Sequence, residues 1–245
     1  MGIFDKFKKK DVKQEVEGKT NQAEAKNGKE LFPEFLYSEQ ELDEFEKYIE
    51  TQFGEISFVF HEICSPDIHL DIIVIEPNEK SNYYKLITMG AGAYKMNVPE
   101  ELQQYNLERA EFMMFLPPDW DVKSSDNKYY WPIKMLKSVA RLPVNYNTWL
   151  GFGHTVSSDA GNTPYDESTG FCSIVLLSGL NQEFEKMNLE ISGLGKMNFY
   201  QIFPLYEEEL KYKQDNGIEA LCSLFEDEDL SPVINIERKN NCKKE

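Results

Sequence analysis

Three residues have the types and spacing of a metal shell: His61, His69 and Asp71. Residues two apart in a strand share a face, so His69 and Asp71 project together, with His61 in reach on a preceding strand. No His-Glu-x-x-His and no third histidine nearby completes the shell, and the same pattern describes polar residues on a partly open sheet face. Thr88-Met-Gly-Ala-Gly92 follows a strand like a phosphate-binding turn. It lacks the third glycine of a dinucleotide fingerprint and the Gly-Lys-Ser/Thr of a P-loop, so a tight glycine-permitted turn is the expectation. Gly151-Phe-Gly-His154 has no serine at a nucleophile elbow; His154 is a general-base candidate or a histidine hydrogen-bonded beside Trp149. Glu207 and Glu208 form a carboxylate pair that helix capping already explains. No catalytic constellation, cofactor site or metal site is predicted, and a metal-dependent enzyme using His61, His69 and Asp71 is the least favoured alternative.

The elements that must position these residues are legible along the chain. Ser38-Glu-Gln-Glu41 is a capping box opening a helix with Leu42, Phe45, Ile49 and Phe53 on one face, ended by Gly54. Strands are predicted at 56–60, 68–76, 83–88, 109–116, 153–156, 171–177, 196–203 and 233–236. In the second, Ile68, Leu70, Ile72 and Val74 point one way, and His69, Asp71, Ile73 and Ile75 the other, as if half of that face were covered. A central helix is predicted to begin at Pro132 and stop at Pro143. Met135, Leu136, Val139, Ala140 and Leu142 lie on its apolar side, and Lys134, Lys137 and Arg141 form a basic stripe. Pro204 is predicted to start a helix stabilised by Glu207–Lys211 and Glu209–Lys213 pairs and closed by Asn216-Gly217; a further helix carries Ile218, Leu221, Cys222 and Phe225. These elements make an α+β domain with a mixed central sheet of about six to eight strands packed with helices.

Composition narrows the function classes. The chain has 245 residues and a net charge of −17. Residues 1–30 hold eight lysines and six acids, leaving −19 on the body. Such a body repels nucleic-acid phosphates and attracts basic partners. Apolar runs reach only four or five residues against the roughly 20 of a membrane span, so no membrane span is expected. Four scattered cysteines without a C-x-x-C read as free thiols of a cytoplasmic protein. Residues 1–30 are predicted as a flexible polar tail, 31–237 as one domain and 238–245 as a polar C-terminal tail. The Ile3-Phe4-Phe7 cluster and the four acids at 226–229 are further contact candidates.

Five ordered segments carry a resemblance: 61–77 (HEICSPDIHLDIIVIEP), 84–90 (YKLITMG), 109–120 (RAEFMMFLPPDW), 131–154 and 198–210 (NFYQIFPLYEEEL). Together they resemble the suppressor-of-fused-like domain over about 35–237. The resemblance implies a bacterial, stand-alone, non-enzymatic protein-binding domain. Some such members resemble immunity proteins or antitoxins that neutralise a toxin encoded beside them. The expected partner is then a basic toxin domain such as a nuclease, and the alternative is a cytoplasmic signalling or regulatory adaptor. The acidic set to test for partner contact is Asp71, Glu207, Glu208, Asp227 and Glu228. The motif residues Thr88, Gly90, Trp149, Gly151, His154, Tyr200 and Pro204 are read mainly as fold determinants.

Overall fold

The computed structural model describes residues 33–65, 67–178, 187–225 and 231–243. The tail, Pro66 and the acids at 226–229, including Asp227 and Glu228, lie outside the described residues. Strands β1 (Phe58–Phe60), β2 (Asp71–Ile75), β3 (Tyr84–Met89), β4 (Ala110–Leu116), β5 (Thr155–Ser157), β6 (Ser173–Leu177), β7 (Asn188–Ile191) and β8 (Gly195–Leu205) form one mixed eight-stranded sheet. Its order is β1-β2-β3-β4-β8-β6-β5, with β7 also on β8; β4 and β8 run parallel and every other pair is antiparallel.

The alternation in β2 divides the core as the sequence predicts. Ile72 and Val74, with Leu86, Phe112 and Met114, pack under helix α2 (Asn127–Tyr146), which contributes Trp131, Leu136, Val139 and Ala140. Ile73 and Ile75, with Ile87, Met113 and Phe199, pack under helix α1 (Glu39–Gln52) through Phe45 and Ile49. The Ser38–Glu41 capping box forms at the start of α1. Helices α3 (Glu207–Asn216) and α4 (Ile218–Leu224) follow β8, and Leu221 and Phe225 cover Val175, Leu177, Phe203 and Leu205.

Prolines account for three corrections. Helix α2 begins five residues before Pro132, because Asp126 caps it by accepting from the Lys128 N–H. Pro143 does not stop it: the helix runs to Tyr146, and Asn147 closes it at φ 47° while its N–H donates to the Pro143 carbonyl. An interior proline costs a helix about 3 kcal/mol, but Pro132 and Pro143 are buried, and the packing of this face outweighs that cost. Pro204 lies inside β8 opposite Ile174, and α3 starts after Tyr206 instead. Within one strand residue N–H and C=O point the same way. The Pro204 carbonyl accepts from Arg238 Nη2, so the missing donor faces away from β6 and breaks no ladder bond.

The C-terminal segment departs from expectation in two further ways. The strand expected at 233–236 reduces to a single parallel bridge, Phe115–Val233, with Ile234 N–H donating to the Phe115 carbonyl. It takes over beside β4 beyond Met113, where pairing with β8 ends. Glu209 does not serve Lys213. It is fully buried and forms a paired-oxygen salt bridge with Arg238, both contacts at 2.6 Å. The Arg238 guanidinium sits 4.9–5.2 Å from the ring centroids of Phe171, Phe203, Tyr206 and Phe225.

Candidate functional site

Antiparallel pairing brings the start of β2, the end of β3 and the start of β4 to one end of the sheet. The C-terminal end of α2 reaches the same place, because Arg141 donates to Glu62, to Asp67 Oδ1 at 3.1 Å and to the Ile68 carbonyl. Residues 33–37 join it: the Glu34 and Phe35 N–H groups donate to the Asp67 carbonyl, and His69 N–H donates to that of Phe35.

The metal-like trio meets here. His61 Nδ1 is 2.8 Å and His69 Nε2 is 3.5 Å from the same oxygen, Asp71 Oδ2, while Asp71 Oδ1 accepts the Glu62 N–H. Among the described residues no group of three or more His, Cys, Asp or Glu has a geometry able to hold a metal ion. The polar start of β2 is a partly open face, as the alternation predicts, with the His61 and His69 side chains 49% and 42% exposed, but Asp71 corrects one expectation. Asp71 is only 1% exposed, so it cannot be a surface contact for an acidic-partner set. The two histidines approach one of its oxygens and the Glu62 N–H the other, so its lone pairs serve groups of this same chain. Ser65 Oγ is 3.4 Å from His69 Nδ1, which mimics a nucleophile–base–acid line. The hydroxyl donates instead to Glu62 Oε2 at 2.7 Å, a carboxylate already paired with Arg141, and Ser65 is buried.

Arg141, read from the sequence as part of a basic stripe, is consumed by Glu62 and Asp67. Lys134 pairs with Asn127 and lies over the Tyr130 ring.

Behind this surface lies a carboxylate that the sequence reading missed. Glu111 in β4 is fully buried. Its Oε1 accepts from Tyr37 OH at 2.6 Å, Gly90 N–H at 2.8 Å and Gly92 N–H at 3.0 Å, and its Oε2 accepts from Thr88 Oγ1 at 2.5 Å. Burial pushes the Glu111 carboxyl up to about 7 against the pull of all four donors. Thr88 Oγ1 in turn accepts the Phe112 N–H. Gly90 stands at φ 118°, where an added Cβ would lie 1.9 Å from the His69 carbonyl oxygen. The Thr88–Gly92 turn therefore binds an internal carboxylate, using the N–H groups that a phosphate turn would use. A single acid in the apolar run Ala110–Leu116 was the available signal.

Four further motif residues form a second cluster. The Trp149 and His154 rings are 4.3 Å apart, a Cβ on Gly151 would come within 2.8 Å of the Trp149 ring, and the Tyr200 hydroxyl lies 3.7 Å from that Cβ position. Burial, the Lys213 charge and a backbone hydrogen bond to Trp149 act on His154, with a net shift below the ordinary histidine value. Pro204 belongs to neither cluster. Glu207 and Glu208 are exposed at the opposite end of the sheet, where they accept from Asn162 and Asn240.

Around the first cluster the surface turns apolar. Leu36, Ile63, Tyr105 and Tyr146 are 58%, 100%, 56% and 76% exposed. Beside them runs a groove of about 400 Å³ lined by Lys95, Asn97, Val98, Gln103, Glu108 and Asn147. No helix of the described residues is long and apolar enough to cross a membrane.

Comparisons with known proteins give a family, a relative and a shared fold. The family model for Suppressor of fused protein (SUFU) matches residues 66–239. An uncharacterized protein of Ureaplasma parvum serovar 3 (UU111) is 30% identical over 209 residues, covering 84% of this chain and 98% of its own length. A SUFU homologue from Neisseria gonorrhoeae FA 1090 superposes with a TM-score of 0.57 at 16% identity, over 85% of this chain and 98% of that one. The Sufu–Fu complex gives 0.56 at 12% identity, over 81% and 88%, and Drosophila Suppressor of Fused gives 0.53 at 13% identity, over 85% and 53%.

Proposed function

The chain belongs to the suppressor of fused protein family, and from that premise we propose that it works as a non-enzymatic protein-binding module. One observation carries the reading. At the candidate site the reactive groups are spent on each other: Asp71 on His61, His69 and Glu62, Arg141 on Glu62 and Asp67, and Ser65 on Glu62. Large apolar side chains around them face water instead. That is the chemistry of a recognition surface rather than of bond making.

Within that class the reading is a cytoplasmic immunity protein that neutralises a basic toxin encoded beside it. A net charge of −17 supports it, because an acidic inhibitor associates rapidly with a basic catalytic cleft and complements it. Glu207 and Glu208 keep their place as contact candidates, and Asp71 does not. The test is co-expression with the toxic product of the adjacent reading frame. Growth restored by this protein supports the reading, and killing unchanged by it refutes the reading. A regulatory adaptor is the second reading. The similarity to the fold in the Sufu–Fu complex favours it, and a non-toxic partner recovered with the chain in a stoichiometric complex would establish it.

A further inference from the structure

We propose that the end of the sheet bearing Leu36, Ile63, Tyr105 and Tyr146 is the docking face, and that its occupant is a basic protein segment carrying apolar side chains. This rests on the protein-binding reading and assigns it a surface and a partner chemistry. The face is continuous. Residues 33–37 bond to 67–69, Phe35 packs edge-on against Tyr94 at 5.1 Å, and Tyr94 OH reaches Asn147 Oδ1 at 3.5 Å. Asn97 bonds to Asn147 and Thr148, and Arg141 ties α2 to Glu62 and Asp67.

Each exposed apolar side chain stands on backbone that is already fixed. Ile63 is fully in water, yet its neighbour Glu62 is held by Arg141, by Ser65 and by its own N–H to Asp71. Leu36 adjoins the Phe35–Ile68 bridge, Tyr146 is the last residue of α2, and Tyr105 is the last residue of the 3-10 helix Glu100–Tyr105. Apolar groups offered on rigid supports lose little entropy on binding.

Charge selects the occupant. Segments 33–37, 61–69, 94–109 and 141–148 carry six carboxylates (Glu34, Glu62, Asp67, Glu100, Glu101, Glu108) against Lys95, Arg109 and Arg141. Both arginines face inward: Arg141 onto Glu62 and Asp67, and Arg109 onto the carbonyls of Gly92, Ala93 and Leu194. Outward, Glu34, Glu100 and Glu101 are exposed and Glu108 lines the groove, with Lys95 opposing them. A basic segment fits that field and an acidic one is repelled.

The probe is a short amphipathic peptide of Lys, Leu and Trp, titrated into the isotopically labelled full chain, with a Glu-for-Lys version as the counter-probe. The expected result is saturable, salt-sensitive binding of the basic peptide alone. Its amide shift changes should cluster at 34–36, 61–69, 94–108 and 141–148. The triple variant Leu36→Ser, Tyr105→Ser, Tyr146→Ser should keep the parent spectrum elsewhere and lose about tenfold in affinity. Shift changes centred on Glu207 and Glu208, equal binding of the acidic peptide, or full affinity in the triple variant overturns the docking face. Absence of any binding overturns the partner chemistry. None of these touches the protein-binding reading itself, which the adjacent gene product tests separately: its binding to the triple variant at parental affinity would keep that reading and discard this face.

Discussion

Glu111→Gln is the perturbation whose magnitude follows most directly from the structure. The carboxyl is pushed from its ordinary 4.5 up to about 7 in the fold, chiefly by burial. A carboxyl that holds its proton more tightly when folded stabilises the fold most when protonated. That advantage is complete below 4.5 and is lost as pH rises towards 7. A gap of that size corresponds to about 3 kcal/mol between pH 4.5 and 8. Glu111→Gln keeps an acceptor for the Gly90 and Gly92 N–H groups but cannot ionise. Relative to its own value at pH 5, the variant should therefore gain about 2–3 kcal/mol on the parent by pH 8. Glu46, raised to about 7 by burial with Asp43 and Glu50 nearby, shifts both proteins alike and cancels in the difference. The assay is urea unfolding at a series of pH values, with m compared to verify an unchanged denatured state. Tyr37→Phe supplies the independent arm. It removes a donor to the ionised form, so its destabilisation should be larger at pH 8 than at pH 5, about 1.5–3 kcal/mol at the upper end. Parallel curves for parent and Glu111→Gln would refute the argument, because they would mean that Glu111 titrates alike folded and unfolded.

Three more outcomes are expected. Gly90→Ala should prevent folding or cost more than about 3 kcal/mol, since the new Cβ meets a backbone oxygen at a left-handed φ; Gly195→Ala, with φ +84° but open space, should cost only about 1–2 kcal/mol by the same melts. Arg238→Met should cost about 3–5 kcal/mol by stranding the buried Glu209 charge, and adding Glu209→Gln should recover a large part of that in a double-mutant cycle. Arg141→Ala should loosen residues 61–69, seen as faster amide exchange there than in β3, with a global cost of about 1–2 kcal/mol because the ion pairs are partly solvated.

Much of the sheet was legible because β2, β3 and β4 are buried on both faces and read as near-continuous apolar runs, which a sequence displays directly. The helix boundaries were not, because proline was weighed by its local cost alone. Pro132 and Pro143 are buried against the sheet, and Pro204 turns its missing donor away from β6; neither fact is local. Strand β7 escaped because Asn188–Ile191 is half polar and gains its order from partners distant in sequence, β8 at its edge and helix α1 over Ile191. At the candidate site, residue types brought His61, His69 and Asp71 into view, and the structure joined them. Their roles were hidden, because Asp71 is held by the His61–Glu62 segment, and that segment is fixed by Arg141 of helix α2, 79 residues beyond Glu62. Arg238 gave no signal at all, being one cation in a Lys/Asn-rich run.

The arginine enclosed by Phe171, Phe203, Tyr206 and Phe225 sets an order of events. Those four rings and the Glu209 carboxylate come from β6's approach, β8, α3 and the end of α4, and they share no common filler until residue 238 exists. The half of the sheet around β6 and β8 consequently lacks its buried counter-charge until that residue has been made. A chain interrupted shortly before that residue would present a buried acid and a ring of aromatics to the cell, a form that proteolysis can recognise.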